Sequence, residues 1–383
     1  MRINATWLLG AVILLMTFIM QHGGIQRSAR VTYFLAVISL VPLLLIGIVP
    51  IVTGDMPLTN FTPMVPLAHD IVGNAIDGTW NMAGLTLLIG GIFIAGWSTY
   101  GFEIAVCYTR ELKDPKADTY KALMSCGLLC LAAYTLIPAA FQGHLGLHGM
   151  LAPDIYSGMG VAAAMSDMLG KHVLIEHFIV VMLVLSLVLA IITTMAGSSR
   201  TLYQASVDGW LPRYLSHLNS HGVPTAAMWT DLCFNLVLLT LSDYVFVIAA
   251  SNVGYMMFHF INLQSGWIHR MDRSDWERPY KAPTWLIALG AILGFANLGL
   301  MGWGADVYGA GALKIGLIFL ALVFPIFIYR HYYQDRGVFP QAMEDDMVLS
   351  DDRKVETRAG ILPYVALAAG AIIIFLAHKI AVY

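Results

Sequence analysis

The sequence predicts an all-α polytopic membrane protein. Three observations carry that prediction: the share of apolar residues, the recurrence of apolar runs of spanning length, and the sorting of basic residues into alternate loops. Of 383 residues, 58% are hydrophobic and 12% charged, against about 25% charged in an ordinary soluble domain. Apolar runs appear near 5–21, 31–52, 84–108, 121–141, 173–197, 226–242, 244–268, 284–304, 312–330 and 360–379. Each approaches or exceeds the roughly 20 residues a helix needs to cross a bilayer, which makes about ten transmembrane helices. One set of alternate loops holds nearly all the Lys and Arg, leaving Arg2, Lys171, Lys314 and Lys379 on the other side. Cytoplasmic loops retain positive charge, so an even helix count puts both termini outside.

The net charge of −3 is a sum over separated loops, and it points to no nucleic-acid partner. Cys107, Cys126, Cys130 and Cys233 fall in or beside apolar runs without metal-ligand spacing, so they read as small core residues and no metal or cofactor is expected.

In chain order, the first span competes with a secretory signal peptide, since MRINATWLLGAVILLMTFIM has a short positive start and an apolar stretch. No small-x-small cleavage site follows it. After the second span, residues 53–80 contain prolines and no Lys or Arg, and 142–171 behave similarly. Both are expected to fold over the outer mouth as short helices and to act as lids. His69, His144, His148, His172 and His177 lie there at irregular spacing, which reads as interfacial or solvated histidine.

The span at 84–108 is interrupted at its middle by Gly96-Trp97-Ser98-Thr99-Tyr100-Gly101-Phe102-Glu103. A glycine costs about 1 kcal/mol in a helix interior and an acid at the centre of a spanning helix about 3 kcal/mol. Freed backbone groups survive in a bilayer only where protein or an aqueous cavity satisfies them, so a discontinuous helix lining a midplane site is expected. Beyond it, Pro115 is read as starting a turn in a solvated connector. Asp231 and His259 fall inside later spans and read as cytoplasm-facing polar packing. The tail at 331–359 mixes both charges, and 360–383 forms a further span.

WSTYGFE followed by TRELKDPKADTYKAL resembles the sixth helix and following loop of the amino acid-polyamine-organocation transporter family. MAGSSRTLYQASVDGWLPRYLSHLNSHGVPTAA, residues 195–227, resembles the end of that family's eighth helix and the entry to its ninth. RPYKAP, residues 278–283, resembles the segment leading into the eleventh. The resemblance implies a partial inverted-repeat transporter fold of the LeuT type: helices four to twelve plus one extra C-terminal helix, with helices one to three absent. The corresponding units are 1–52, two helices of the first repeat; 53–83, an outer loop; 84–268, the second repeat with its first helix broken; 269–330, two peripheral helices; 331–359, a cytoplasmic connector; and 360–383, the extra helix.

On that resemblance, open amides from Ser98 through Thr99 and Tyr100 to Gly101 would suit a substrate carboxylate. Carbonyls at Ile94, Ala95 and Gly96 would suit its ammonium group. Trp97 matches the family's aromatic position over the substrate, and Glu103 matches an acid just inside the site, implying a gate or proton-linked role. Ser198 and Ser199, near the inner end of the eighth helix, are a candidate sodium site. The fifth helix, residues 37–50, holds no lysine, so exchange stands beside H+ or Na+ coupling.

The resulting expectation is a non-enzymatic amino acid or amine permease or exchanger of the plasma (inner) membrane. It works by alternating access, is N-terminally truncated, and is completed by a partner supplying the missing helices. The alternative is a non-transporting remnant or accessory membrane protein.

Overall fold

The computed structural model describes residues 4–23, 25–69, 75–101, 103–109, 112–241, 244–278, 280–346 and 358–382. Phe102 of the break, Arg110 and Glu111 of the connector, Pro279 of RPYKAP and the stretch 347–357 lie outside them.

Helix α1 (Ala5–His22) starts at Asn4, whose side chain accepts from the Trp7 amide, and is followed by α2 (Ile25–Thr53). The first outer loop holds a 3₁₀ turn, Leu58–Phe61, and two short antiparallel strands, β1 (Leu67–His69) and β2 (Ala75–Asp77). The expectation of short helices there is corrected by that strand pair. The broken span is α3 (Met82–Ser98) and α4 (Ile104–Cys107). Next come α5 (Pro115–Met150), α6 (Pro153–Tyr156), α7 (Val161–Met168) and α8 (Val173–Val207). The later elements are α9 (Thr225–Leu238), α10 (Tyr244–Asp272), α11 (Thr284–Gly304), α12 (Ala312–Ala321), α13 (Val323–Ile328), α14 (Gln341–Asp346) and α15 (Leu362–Ile380). A π-helical turn, Tyr329–Gln334, follows α13.

Among the described residues, eight helical segments are long and apolar enough to span a membrane, and α3 and α9 are shorter apolar helices. Together they account for the ten predicted segments, and the chain is an integral multi-pass membrane protein. Pro115 starts a helix rather than a turn: Asp114 accepts from the Ala117 amide and Pro115 occupies the first turn, where its missing N–H costs nothing.

Three packing groups result. In the first, Phe93, Val253, Met256, Phe260, Leu298 and Ile374 join α3, α10, α11 and α15 in one apolar cluster. In the second, Leu14, Phe18, Met195, Met228 and Leu232 join α1, α8 and α9, and in the third Ile46, Met165, Ile179 and Met182 join α2, α7 and α8. The cysteines are not core residues: three are half-buried and Cys233 is exposed.

The end of α5 is tied to the loop after α2 by side-chain contacts, and a local ion pair lies at the end of α7. His144 meets Asp55 at 2.6 Å, His148 meets Asp77 at 2.8 Å and Lys171 meets Asp167 at 3.3 Å. On the opposite side, Asp335 receives Arg213 at 2.6 Å and Arg330 at 2.5 Å, fastening the turn after α8 to the end of the π-helical turn. Burial disfavours the charged form of Asp335, but the hydrogen bonds and charges of the two arginines outweigh it and hold its carboxyl below the ordinary value.

Candidate functional site

The site is organised by the end of α3. That helix begins at Asn81, whose side chain accepts from the Gly84 amide at 2.9 Å. It stops where side chains take over the carbonyls that a helix end leaves open. Ser98 Oγ donates to Ala95 O at 2.6 Å and Thr99 Oγ1 to Gly96 O at 2.7 Å. The Thr99 amide turns back to Gly96 O at 3.1 Å and the Tyr100 amide to Trp97 O at 3.3 Å. Tyr134 of α5 donates to Ser98 O.

The chain then leaves the helix at Gly101, whose φ of +110° is a conformation that only glycine adopts without strain. The Gly101 amide donates to Glu103 Oε2 at 3.0 Å. Glu103 immediately precedes α4 but does not cap it, its carboxylate turning back to the Gly101 amide instead.

The carbonyls of Ala95 and Gly96 and the amides of Thr99, Tyr100 and Gly101 are thus all engaged within the chain. Ile94 packs against the core, Ala95 and Ser98 are exposed, and Trp97 is 40% exposed. Tyr100 turns inward and stacks on Tyr255 at 5.0 Å between centroids and on His259 at 4.7 Å. Asn252 of α10, fully buried, donates Nδ2 to Phe93 O at 2.6 Å, one turn before the break.

Below the break lies a cavity of about 620 Å³, within the usual size range of small-molecule sites. Its walls include Glu103, Ser198, Thr230, Asp231, Ser251 and Tyr255. The structure thus brings Glu103 and Ser198 together from separate parts of the chain. It turns Ser199 elsewhere: that side chain is buried and donates to Ala196 O at 3.1 Å.

Asp231 is the residue that sequence reasoning undervalued. Its side chain lines the cavity together with Ser198, whose hydroxyl donates to Met195 O at 3.2 Å. An acid within an apolar run was the available signal, but the direction in which α9 turns it is set by packing against α8. Chemically, the cavity combines two carboxylates and several hydroxyls with apolar walls such as Ile104, Phe234 and Phe258, an arrangement suited to a small amphiphilic solute.

The chain spans less than two thirds of the length of the curated relatives it matches. A branched-chain amino acid permease, BcaP, of Lactococcus lactis subsp. cremoris is 22% identical over 325 residues, covering 84% of this chain and 65% of that protein. An uncharacterized amino acid permease, YvbW, of Bacillus subtilis is 26% identical over 305 residues, covering 75% and 65%. The Bacillus subtilis branched-chain amino acid permease BcaP is 21% identical over 311 residues, covering 80% and 61%. Residues 2–329 match the family described as Amino acid permease. With the interrupted α3 and the ten apolar helices, that match over most of the sequence establishes that the chain belongs to the amino acid permease family.

Proposed function

We propose that this chain acts in the transport of an amino acid with an aliphatic side chain, working by alternating access around the break in α3. The observation that carries this reading is the interruption between Ser98 and Ile104, whose inner edge, at Glu103, opens on the 620 Å³ cavity. Discontinuous helices put backbone ends in the middle of a membrane, where they recognise both ends of a zwitterion, which here would displace the side chains that now engage them. The carbonyls of Ile94, Ala95 and Gly96 serve the ammonium group and the amides from Ser98 to Gly101 the carboxylate, with the Trp97 ring covering the aliphatic part. The printed names of two relatives, branched-chain amino acid permeases, support the aliphatic class.

Glu103 acts as the gate. Ionised, it accepts the Gly101 amide and holds the loop against α4; protonated, it is a weaker acceptor and releases it. Ser198 joins it as a candidate ion ligand. The basic-residue bias supports both termini outside, in the plasma membrane. The test is uptake of radiolabelled leucine by proteoliposomes holding the natively expressed polypeptide. Saturable uptake that excess unlabelled leucine suppresses supports the reading, and uptake no greater than in empty liposomes overturns it.

A further inference from the structure

The helix that the transport reading does not use is α15, and its packing leaves a second cavity. Helix α15 is built tightly onto α11: a Cβ on Gly302 would lie 2.5 Å from Ile374 O, and one on Gly370 would lie 2.7 Å from Leu298 Cδ1. Between α15 and the first turns of α12, however, the two helices do not close on each other. A crevice of about 630 Å³ remains, walled by side chains such as Phe260, Leu317, Ile318, Leu367 and Ala371.

The wall of the crevice also carries polar side chains. Lys314 and His378 lie on it. The Lys379 ammonium sits 5.7 Å over the ring of Phe375, another wall residue. Asp306 is also there, but its carboxylate accepts the Leu313 amide at 2.8 Å and caps α12. Lys314 and Lys379 are two of the four basic residues that the loop bias leaves on the outer side of the chain. Lys171, by contrast, is paired with Asp167, whereas Lys314 has no ion-pair partner among the described residues.

We propose that the crevice between α12 and α15 is a binding site for one anionic phospholipid, its acyl chain along the apolar walls and its headgroup held by Lys314 and Lys379. Lipid tails are as apolar in the bilayer as in the crevice, so the tail supplies fit and not selectivity. Selectivity comes from the headgroup, because a lysine near the membrane surface attracts anionic lipid and is indifferent to a zwitterionic one of the same chain length.

The experiment measures lipid retained by the purified polypeptide in detergent, by native mass spectrometry, after exposure to phosphatidylglycerol or phosphatidylcholine with identical chains. The wild-type protein is expected to retain phosphatidylglycerol about fivefold or more over phosphatidylcholine, the worth of one lysine at a membrane surface. Lys314→Gln with Lys379→Gln brings that ratio to parity. Ala371→Phe fills the crevice and lowers retention of both lipids. Thermal unfolding in lipid-free detergent confirms that each variant is folded, and Lys171→Gln serves as a charge control that keeps the wild-type ratio. Equal retention of the two lipids by the wild type overturns the proposal, as does a preference that survives in the double variant or falls equally in the Lys171 control.

Discussion

Helix α3 runs for 17 residues and is fixed at several points, whereas α4, across the break, has four residues and rests on α5 and α8. On the outer side, Gly90 and Gly304 bring α3 and the end of α11 into backbone contact. Trp303 donates to Thr86 at 2.9 Å, and Asn252 pins the Phe93 carbonyl. On the inner side, the Ile104 side chain lies over Gly197 of α8, and the chief polar tie is between Glu103 and the amide two residues before it. The α3 side of the break is thus fixed at more points than the α4 side.

The comparison predicts a ranking of mutational effects. The largest is expected at Gly304→Leu. A Cβ there would lie 2.9 Å from Ile89 O and 3.0 Å from Phe93 Cβ, and backbone cannot yield as a side-chain tip can. Overpacking of this kind costs about 3 kcal/mol, read as a loss of folded, monodisperse protein on gel filtration. Asn252→Asp comes next, because it buries an unpaired carboxylate facing the Phe93 carbonyl. A cost of about 3 kcal/mol is expected from the uncompensated charge, and a thermal midpoint equal to that of wild type would show that α3 does not depend on this pin.

Across the break, Glu103→Gln keeps an acceptor for the Gly101 amide while removing the charge. Its stability should change by less than about 1 kcal/mol, and its uptake should lose the pH dependence of the wild type. A variant with the wild-type pH profile would rule out the proton-linked gate.

The smallest effect concerns α8, on which α4 rests. The Asp335 carboxyl is held below its ordinary value by Arg213 and Arg330, so its contribution to stability is complete above the ordinary carboxylate range. That contribution is lost as pH falls through the lowered value. Asp335→Asn should reduce stability at neutral pH and flatten the acid limb of the unfolding midpoint.

The break in α3 was legible because glycines and an acid inside an apolar run violate what a spanning helix needs. The number of apolar helices was legible for the same reason, since hydropathy reports length directly. What escaped reading depends on rotation and on tertiary contact. The 14 residues of α9 are largely apolar around the helix, so nothing in their spacing showed that Asp231 faces Ser198. The pairing of Leu67–His69 with Ala75–Asp77 depends on two three-residue strands, too short for alternation to register. The start of α5 was readable and misjudged: Asp114 before Pro115 is a helix-entry signal. The end of the same helix was not readable, because Gly146 departs from helical geometry within it, at φ +71°.

The seating of α15 on α11 has a consequence for how the molecule is made. Leu298 and Phe260 are fully covered only when Gly370 has come against them, and α15 leaves the ribosome after α11. Until then the face of α11 that bears Gly302 must be covered by lipid, and the docking of α15 exchanges those lipids for a helix. Nascent protein paused before that step would be inserted yet unfinished, with a groove open to the bilayer and to any other helix that passes.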